Sequence, residues 1–197
     1  MKVEIRADGI HISGYVNVPG RESRPVITSR GKVIETIEQR AFQRAIEKSE
    51  SVPMTLDHNP NRVLAQTKDK TLTLYEDEIG LRAESVVSDE EVIKGAKEGK
   101  IKGWSFGMKK IVDSIEERAD NLPLRRVKDF VLDHITLVMN KRPVYASTSI
   151  EIRADENEEM EVRAADGEVN TVDLSEKGKK VDLSQYKQRI NNLKVGK

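Results

Sequence analysis

The chain has 197 residues, 37% hydrophobic and 35% charged, with 34 basic and 34 acidic residues and a formal net charge of zero. Balanced charge gives no electrostatic case for a nucleic-acid partner, and the absence of cysteine excludes disulfides and thiolate chemistry. No apolar run approaches the roughly 20 residues that span a bilayer, and the charged, alternating Met1–Arg6 does not read as a signal peptide. The expectation is a soluble intracellular protein, off the membrane, with one modest domain plus a remainder. Aromatic residues make up only 4%, so Val, Ile and Leu must build the core, as in a β-rich domain.

Val3, Ile5 and then Ile10, Ile12 alternate with polar residues around Asp8-Gly9, which predicts a hairpin. Tyr15, Val16 and Val18 prolong its second strand to Pro19-Gly20. From Ile37 to Ile46 the apolar spacing turns helical. Val52–Leu56 and Val63–Ala65 read as strands around the turn Asp57-His58-Asn59-Pro60. Leu72, Leu74 and Leu81, Ala83 predict another hairpin, turned at Asp77–Gly80. Ser88 with Glu91 fits a capping box and Gly99 a helix stop. Ile101–Val112, Val127–Val138 and Val144–Ile152 read as long strands. Regular alternation in the second of these puts Phe130, Leu132 and His134 on one face and Val131, Asp133 and Ile135 on the other. The expected fold is α+β and mainly β: a small antiparallel barrel of six to eight strands with inserted helices.

Past Arg153 the composition changes. Residues 155–176 hold nine acidic residues and one basic residue, and residues 177–197 hold seven basic and one acidic. Such a stretch buries too little apolar surface to order itself. The expected division is a barrel domain over 1–153 and a charged, flexible tail over 154–197, with Ser184–Leu193 as a short helix inside it.

Chemistry concentrates at Gly103-Trp104-Ser105-Phe106-Gly107. The letters match the G-x-S-x-G elbow of α/β-hydrolases, but that fold needs alternating strands and helices, and this chain is mostly hairpins. Only three histidines exist, His11, His58 and His134, too scattered for a metal site; no cofactor is expected. His58 lies in a loop carried by strands, where catalytic side chains are often found. His134 lies in an apolar strand, where a lone histidine is usually a satisfied core residue. Beside a catalytic histidine it can instead accept the base's N–H and fix its tautomer. Asp57 and Asp133 are alternatives for that role, although alternation separates Asp133 from His134.

Several segments, taken in order, resemble the prohead (capsid maturation) proteases of HK97-type tailed phages, which are related in fold to herpesvirus assemblin proteases. They are Glu35–Phe42, Leu56–Asn59, Gly80–Ala83, Ile101–Met108 and Asp133–Val138, spread over roughly residues 10–150. Two departures stand out. Arg40 replaces the glycine of the family's E-x-I-x-x-G-A-F segment. His134 stands where phage members usually carry glutamate and assemblins carry histidine. The resemblance implies a serine endopeptidase with a Ser105–His58–His134 triad and acyl-enzyme chemistry. It also implies an oxyanion helper past the third member, for which Arg142 is the candidate, eight residues on (142 − 134 = 8). The implied substrates are the scaffolding segment of the major capsid protein and the protease itself; beside that implication, the tail, or sites near Ala154 and Ala164-Ala165, are candidates for cutting in cis. The implied setting is the host cytoplasm, inside assembling proheads, and the assemblin likeness makes a homodimer a candidate assembly. Two rivals stand beside this: a catalytically inactive capsid-assembly scaffold or chaperone on the same fold, and an unrelated β-barrel binding module.

Overall fold

Alternating apolar residues turn most of the chain into strands, and the computed structural model describes residues 1–139, 150–152, 159–164 and 168–175. The strands are β1 (Lys2–Arg6), β2 (Gly9–Asn17), β3 (Val26–Thr28), β4 (Gly31–Ile37), β5 (Pro53–Leu56), β6 (Asn59–Gln66), β7 (Leu72–Glu76), β8 (Leu81–Val87), β9 (Gly103–Glu116), β10 (Leu124–Val138), β11 (Ile150–Ile152), β12 (Glu159–Ala164) and β13 (Asn170–Asp173). The helices are α1 (Ala41–Lys48) and α2 (Glu90–Lys97).

The strands form two sheets. One runs β13-β1-β2-β8-β7; the other runs β11-β12-β9-β10-β4-β3, with the β5–β6 hairpin attached to β10. A single core draws on both, with Val3, Ile5 and Leu81 from the first and Phe106, Leu132 and Ile135 from the second. The mainly β, α+β class agrees with the sequence reading. The closed antiparallel barrel of six to eight strands does not: among the described residues neither sheet closes, and more strands are present. Three pairings, β10–β4, β10–β5 and β1–β13, are parallel. Alternation reports which face of a strand is buried; it carries no information on which strand lies alongside.

Strand β10 is the axis of the larger sheet. Its first residues pair with β4 and its last with β5, while its other edge pairs along its length with β9. Helix α1 bridges β4 and β5, and Phe42 packs edge-to-face on Phe106 and Phe130, with centroids 5.2 Å away in each case. The helical stretch is shorter than its apolar spacing suggests: Ile37 ends β4, opposite Val127. Arg40 caps α1 at φ 64°. It stands where the resemblance expects glycine, and that left-handed backbone is the conformation glycine adopts at no steric cost. Helix α2 is capped by Asp89, whose carboxylate accepts the Val92 N–H at 3.1 Å, one residue later than expected. Gly99, at φ 66°, closes its far end: Lys100 N–H reaches Gly95 O at 2.8 Å and Gly99 N–H reaches Ala96 O at 3.1 Å.

Two strands come from the stretch expected to be a tail. β12 pairs antiparallel with β9, and β13 pairs parallel with β1. For β12 the reason lies in charge that composition counts as solvated. Arg163 Nε and Nη2 reach the two oxygens of Glu35 at 2.7 Å each. Arg125 Nη1 and Nη2 reach Glu161 at 2.5 and 3.0 Å, and its Nε reaches Asp113 at 2.5 Å. All five side chains are buried, at 3–7% exposure. Bidentate geometry on Glu35 and Glu161 is what makes such burial tolerable. Burial pushes the Asp113 and Glu161 carboxyls up, but their guanidinium partners prevail and hold both below the ordinary range. Carboxylates held low contribute stability above the ordinary carboxylate range, and the contribution is lost as pH falls through the lowered values.

Removing one member leaves unpaired charge in the interior. Arg125→Ala should cost about 3–5 kcal/mol, read as a lower urea midpoint, and the gap to the wild type should narrow as the buffer is taken below pH 4, roughly the ordinary carboxylate value.

Candidate active site

His58 sits at the tip of the β5–β6 hairpin, where Leu56 pairs with Asn59 and only Asp57 and His58 make the turn. Both have positive φ, 50° and 60°, the signature of a type I′ turn. Glycine and asparagine are the usual occupants; here an aspartate and a histidine bear a strain of roughly 1–3 kcal/mol each. Bonds to the neighbouring strand hold them there. Asp57 N–H donates to Leu137 O at 2.9 Å, and Asp57 Oδ1 accepts the Met139 N–H at 2.7 Å. His58 N–H donates to Thr136 Oγ1 at 3.0 Å. The Thr136 hydroxyl donates to Thr55 O and accepts from Thr55 Oγ1, both at 2.9 Å.

His134 reaches the same place through an irregularity in β10. Leu132 pairs with Met108 and His134 with Gly107, so Asp133 is an extra residue in the ladder. Such a bulge shifts the side-chain alternation by one. Leu132, Ile135 and Leu137 face the core opposite Met108, Phe106 and Trp104, while His134 and Thr136 face the other way, opposite Gly107 and Ser105. The regular alternation expected from sequence, with His134 beside Phe130 and Leu132, therefore does not hold.

The result is a chain of hydrogen bonds. His58 Nδ1 and His134 Nε2 are 2.7 Å apart, with the rings edge-to-face and 5.0 Å between centroids. His134 Nδ1 and Asp133 Oδ2 are 2.6 Å apart. Lys109 Nζ lies 2.9 Å from Asp133 Oδ1. Burial pushes the Asp133 carboxyl up, but the bonds from His134 and Lys109 outweigh it and hold the pKa well below the ordinary range. An ionised carboxylate only accepts, so His134 carries its proton on Nδ1. In the neutral ring Nε2 is then an acceptor, His58 must donate from Nδ1, and His58 Nε2 keeps a lone pair. Asp133 thus sets the tautomers of both rings. Alternation along the strand separates Asp133 from His134, and the bulge reunites them. A carboxylate beside a histidine in an otherwise apolar strand is the one sequence signal of that irregularity, since regular pleating would leave one of the two charges without a partner.

Ser105 lies on the face that His134 and Thr136 occupy, with Thr136 directly opposite. Gly107, two residues on, makes room for the His134 ring: a Cβ there would stand 2.6 Å from Cε1 and 3.0 Å from Nδ1. The second glycine of the Gly-Trp-Ser-Phe-Gly run therefore serves the histidine, while Trp104 and Phe106 go to the core. Ser105 is 2% exposed, and its Oγ donates to Arg163 O of β12 at 2.7 Å. His11 is elsewhere, on β2, with Nε2 at 3.1 Å from Asp8. The oxyanion candidate Arg142 lies outside the described residues. Among those residues no group of three His, Asp or Glu side chains is placed to hold a metal ion.

A family model described as caudovirus prohead serine protease matches residues 1–163. Comparison with curated proteins and with solved structures gives no match.

Gly107→Ala should force the His134 ring aside. The expected outcome is overpacking of about 1–3 kcal/mol, together with loss of the low-field imidazole N–H proton resonance that the His58–His134 bond should produce.

Proposed function

We propose a mechanism for a chain that belongs to the caudovirus prohead serine protease family and is a serine protease: Ser105 is the nucleophile, His58 its general base, and His134 the group that orients the base. The observation that carries this is the 2.7 Å contact between His58 Nδ1 and His134 Nε2, on the sheet face that also carries Ser105. His58 Nε2 removes the Ser105 proton as Oγ attacks a peptide carbonyl. His58 then returns that proton to the leaving amine, and water releases the acyl-enzyme. His134, bonded to Asp133, supports the imidazolium that forms. A neutral imidazole does this less well than a carboxylate directly on the base, and the ionised Asp133 behind it restores part of the difference. Arg142 is proposed, by resemblance, to help hold the oxyanion. Asp133 is a positioning residue, since it acts through His134.

The substrates proposed are capsid protein precursors, with the scaffolding segment removed inside assembling proheads in the host cytoplasm, and the protease's own chain; a homodimer is the assembly the assemblin likeness suggests. A second reading, an inactive assembly scaffold on this fold, has one observation in its favour: Ser105 is covered and its hydroxyl is engaged by β12. Co-expression with the capsid precursor separates the two. Wild type should process the precursor and Ser105→Ala should not; equal processing by both favours the scaffold.

Asp133→Asn should let an amide N–H face His134 Nδ1, which reverses both tautomers and places the His58 proton on Nε2. The expected result is a roughly 10–100-fold lower kcat, with KM little changed and the pH profile displaced, measured by steady-state cleavage of a peptide substrate.

A further inference from the structure

Strand β12 lies on β9 as an added strand would, antiparallel, with Val162 opposite Gly107, Arg163 opposite Phe106 and Ala164 opposite Ser105. The Ser105 hydroxyl points at the carbonyl of the Arg163–Ala164 peptide, 2.7 Å from its oxygen. Two buried residues of the body read the side chains on either side of Val162. Glu35 on β4 takes the Arg163 guanidinium through both oxygens, at 2.7 Å each. Arg125 on β10 takes the Glu161 carboxylate through two nitrogens, at 2.5 and 3.0 Å. Glu35 and Arg125 also touch each other, at 3.1 Å, so they form a preassembled acid–base pair that matches a Glu-x-Arg segment in reverse.

The same letters recur in the chain. Met160-Glu161-Val162-Arg163-Ala164 is matched by Ile150-Glu151-Ile152-Arg153-Ala154 and by Val3-Glu4-Ile5-Arg6-Ala7. We propose that an extended segment of the form apolar-Glu-apolar-Arg-Ala is the sequence this protease recognises, with the Arg–Ala bond cut, and that β12 is the chain's own copy seated on the serine. The proposal rests on the reading of Ser105 as nucleophile. It assigns Glu35 and Arg125 as the residues that select the substrate.

The chemistry balances with water as co-reactant. Ser105 Oγ bonds to the Arg163 carbonyl carbon as its proton passes to His58 Nε2. The bond from that carbon to Ala164 N then breaks, and the proton leaves with the new amine. Water hydrolyses the ester, giving a carboxylate on Arg163 and regenerating the serine. In the arrangement described, the hydroxyl still donates to the carbonyl oxygen, so the segment is seated but unreacted. The copy at Val3–Ala7 is unavailable for a different reason: β1 is paired on both edges, by β2 and β13, and cannot be added to β9.

Purified full chain, wild type and Ser105→Ala, is incubated and its termini are read by mass spectrometry, while a fluorophosphonate probe reports on Ser105. New N-termini at Ala164 and Ala154, none at Ala7, and none in Ser105→Ala are expected. The peptide Met-Glu-Val-Arg-Ala-Ala should be cut roughly 100-fold faster than versions with glutamine in place of arginine or of glutamate, because each takes the bidentate partner from buried Glu35 or Arg125. A labelled Ser105 with the Arg163–Ala164 bond intact, with cuts elsewhere, or with equal rates on the three peptides overturns the recognition sequence and leaves the protease reading standing. An unlabelled Ser105 with no cleavage overturns both.

Discussion

One extra residue in β10 decides whether His134 can meet His58 on the face that carries Ser105. Asp133 has no cross-strand partner, and its insertion turns His134 from the core face to the face shared with Ser105. Without it, His134 would stand among Phe130 and Leu132, and His58 would have no ring within reach. The bulge disrupts the local ladder, and the disruption is offset by the bonds from Asp133 to His134 and Lys109. Gly107 is the matching concession on β9, since only a residue without a side chain leaves space for the ring. Bulge, glycine and carboxylate form one device, and each is without purpose when the others are absent.

The same economy of strain governs the other histidine. A two-residue turn places His58 at the hairpin tip with φ of 60°, and three bonds to β10 and its end hold the turn there. Backbone strain at a working position persists only where its surroundings over-determine it, and here the threonine pair Thr55 and Thr136 does much of that. Both histidines are therefore anchored to β10, one through its own backbone and one through a hairpin lashed to it. Their relative position is set within one stretch of sheet, which suits a hydrogen bond of 2.7 Å that tolerates little error.

Charge inside the larger sheet follows a different logic. Arg125 and Arg163 face Glu35, Asp113 and Glu161 in a cluster of buried side chains. Replacing such a cluster with apolar residues often stabilises a protein, so stability alone is a weak reason for it. What the cluster supplies is directional, sequence-specific attachment of β12: a strand lacking glutamate and arginine two apart would leave Glu35 and Arg125 without their bidentate partners. That is the property required of a site that selects an extended segment.

The sequence alone determined the mainly β class, most of the hairpins, the helix stop at Gly99, and the three residues Ser105, His58 and His134 as the candidates worth placing. These are legible because alternation, turn residues and caps act over a few residues. The family likeness could be read from the order of short segments, and the match over residues 1–163 agrees with it. Tertiary structure decided the rest. The open two-sheet arrangement replaced the expected barrel because strand pairing joins residues far apart in the chain, where local pattern is silent. Asp133 joined His134 because a single-residue insertion in one strand becomes visible only against its partner. Residues 159–164 joined the larger sheet because the residues that neutralise Glu161 and Arg163 lie on β4 and β10, and composition counts charges without knowing which of them meet; residues 170–173 joined β1 through a parallel backbone ladder, which composition does not record.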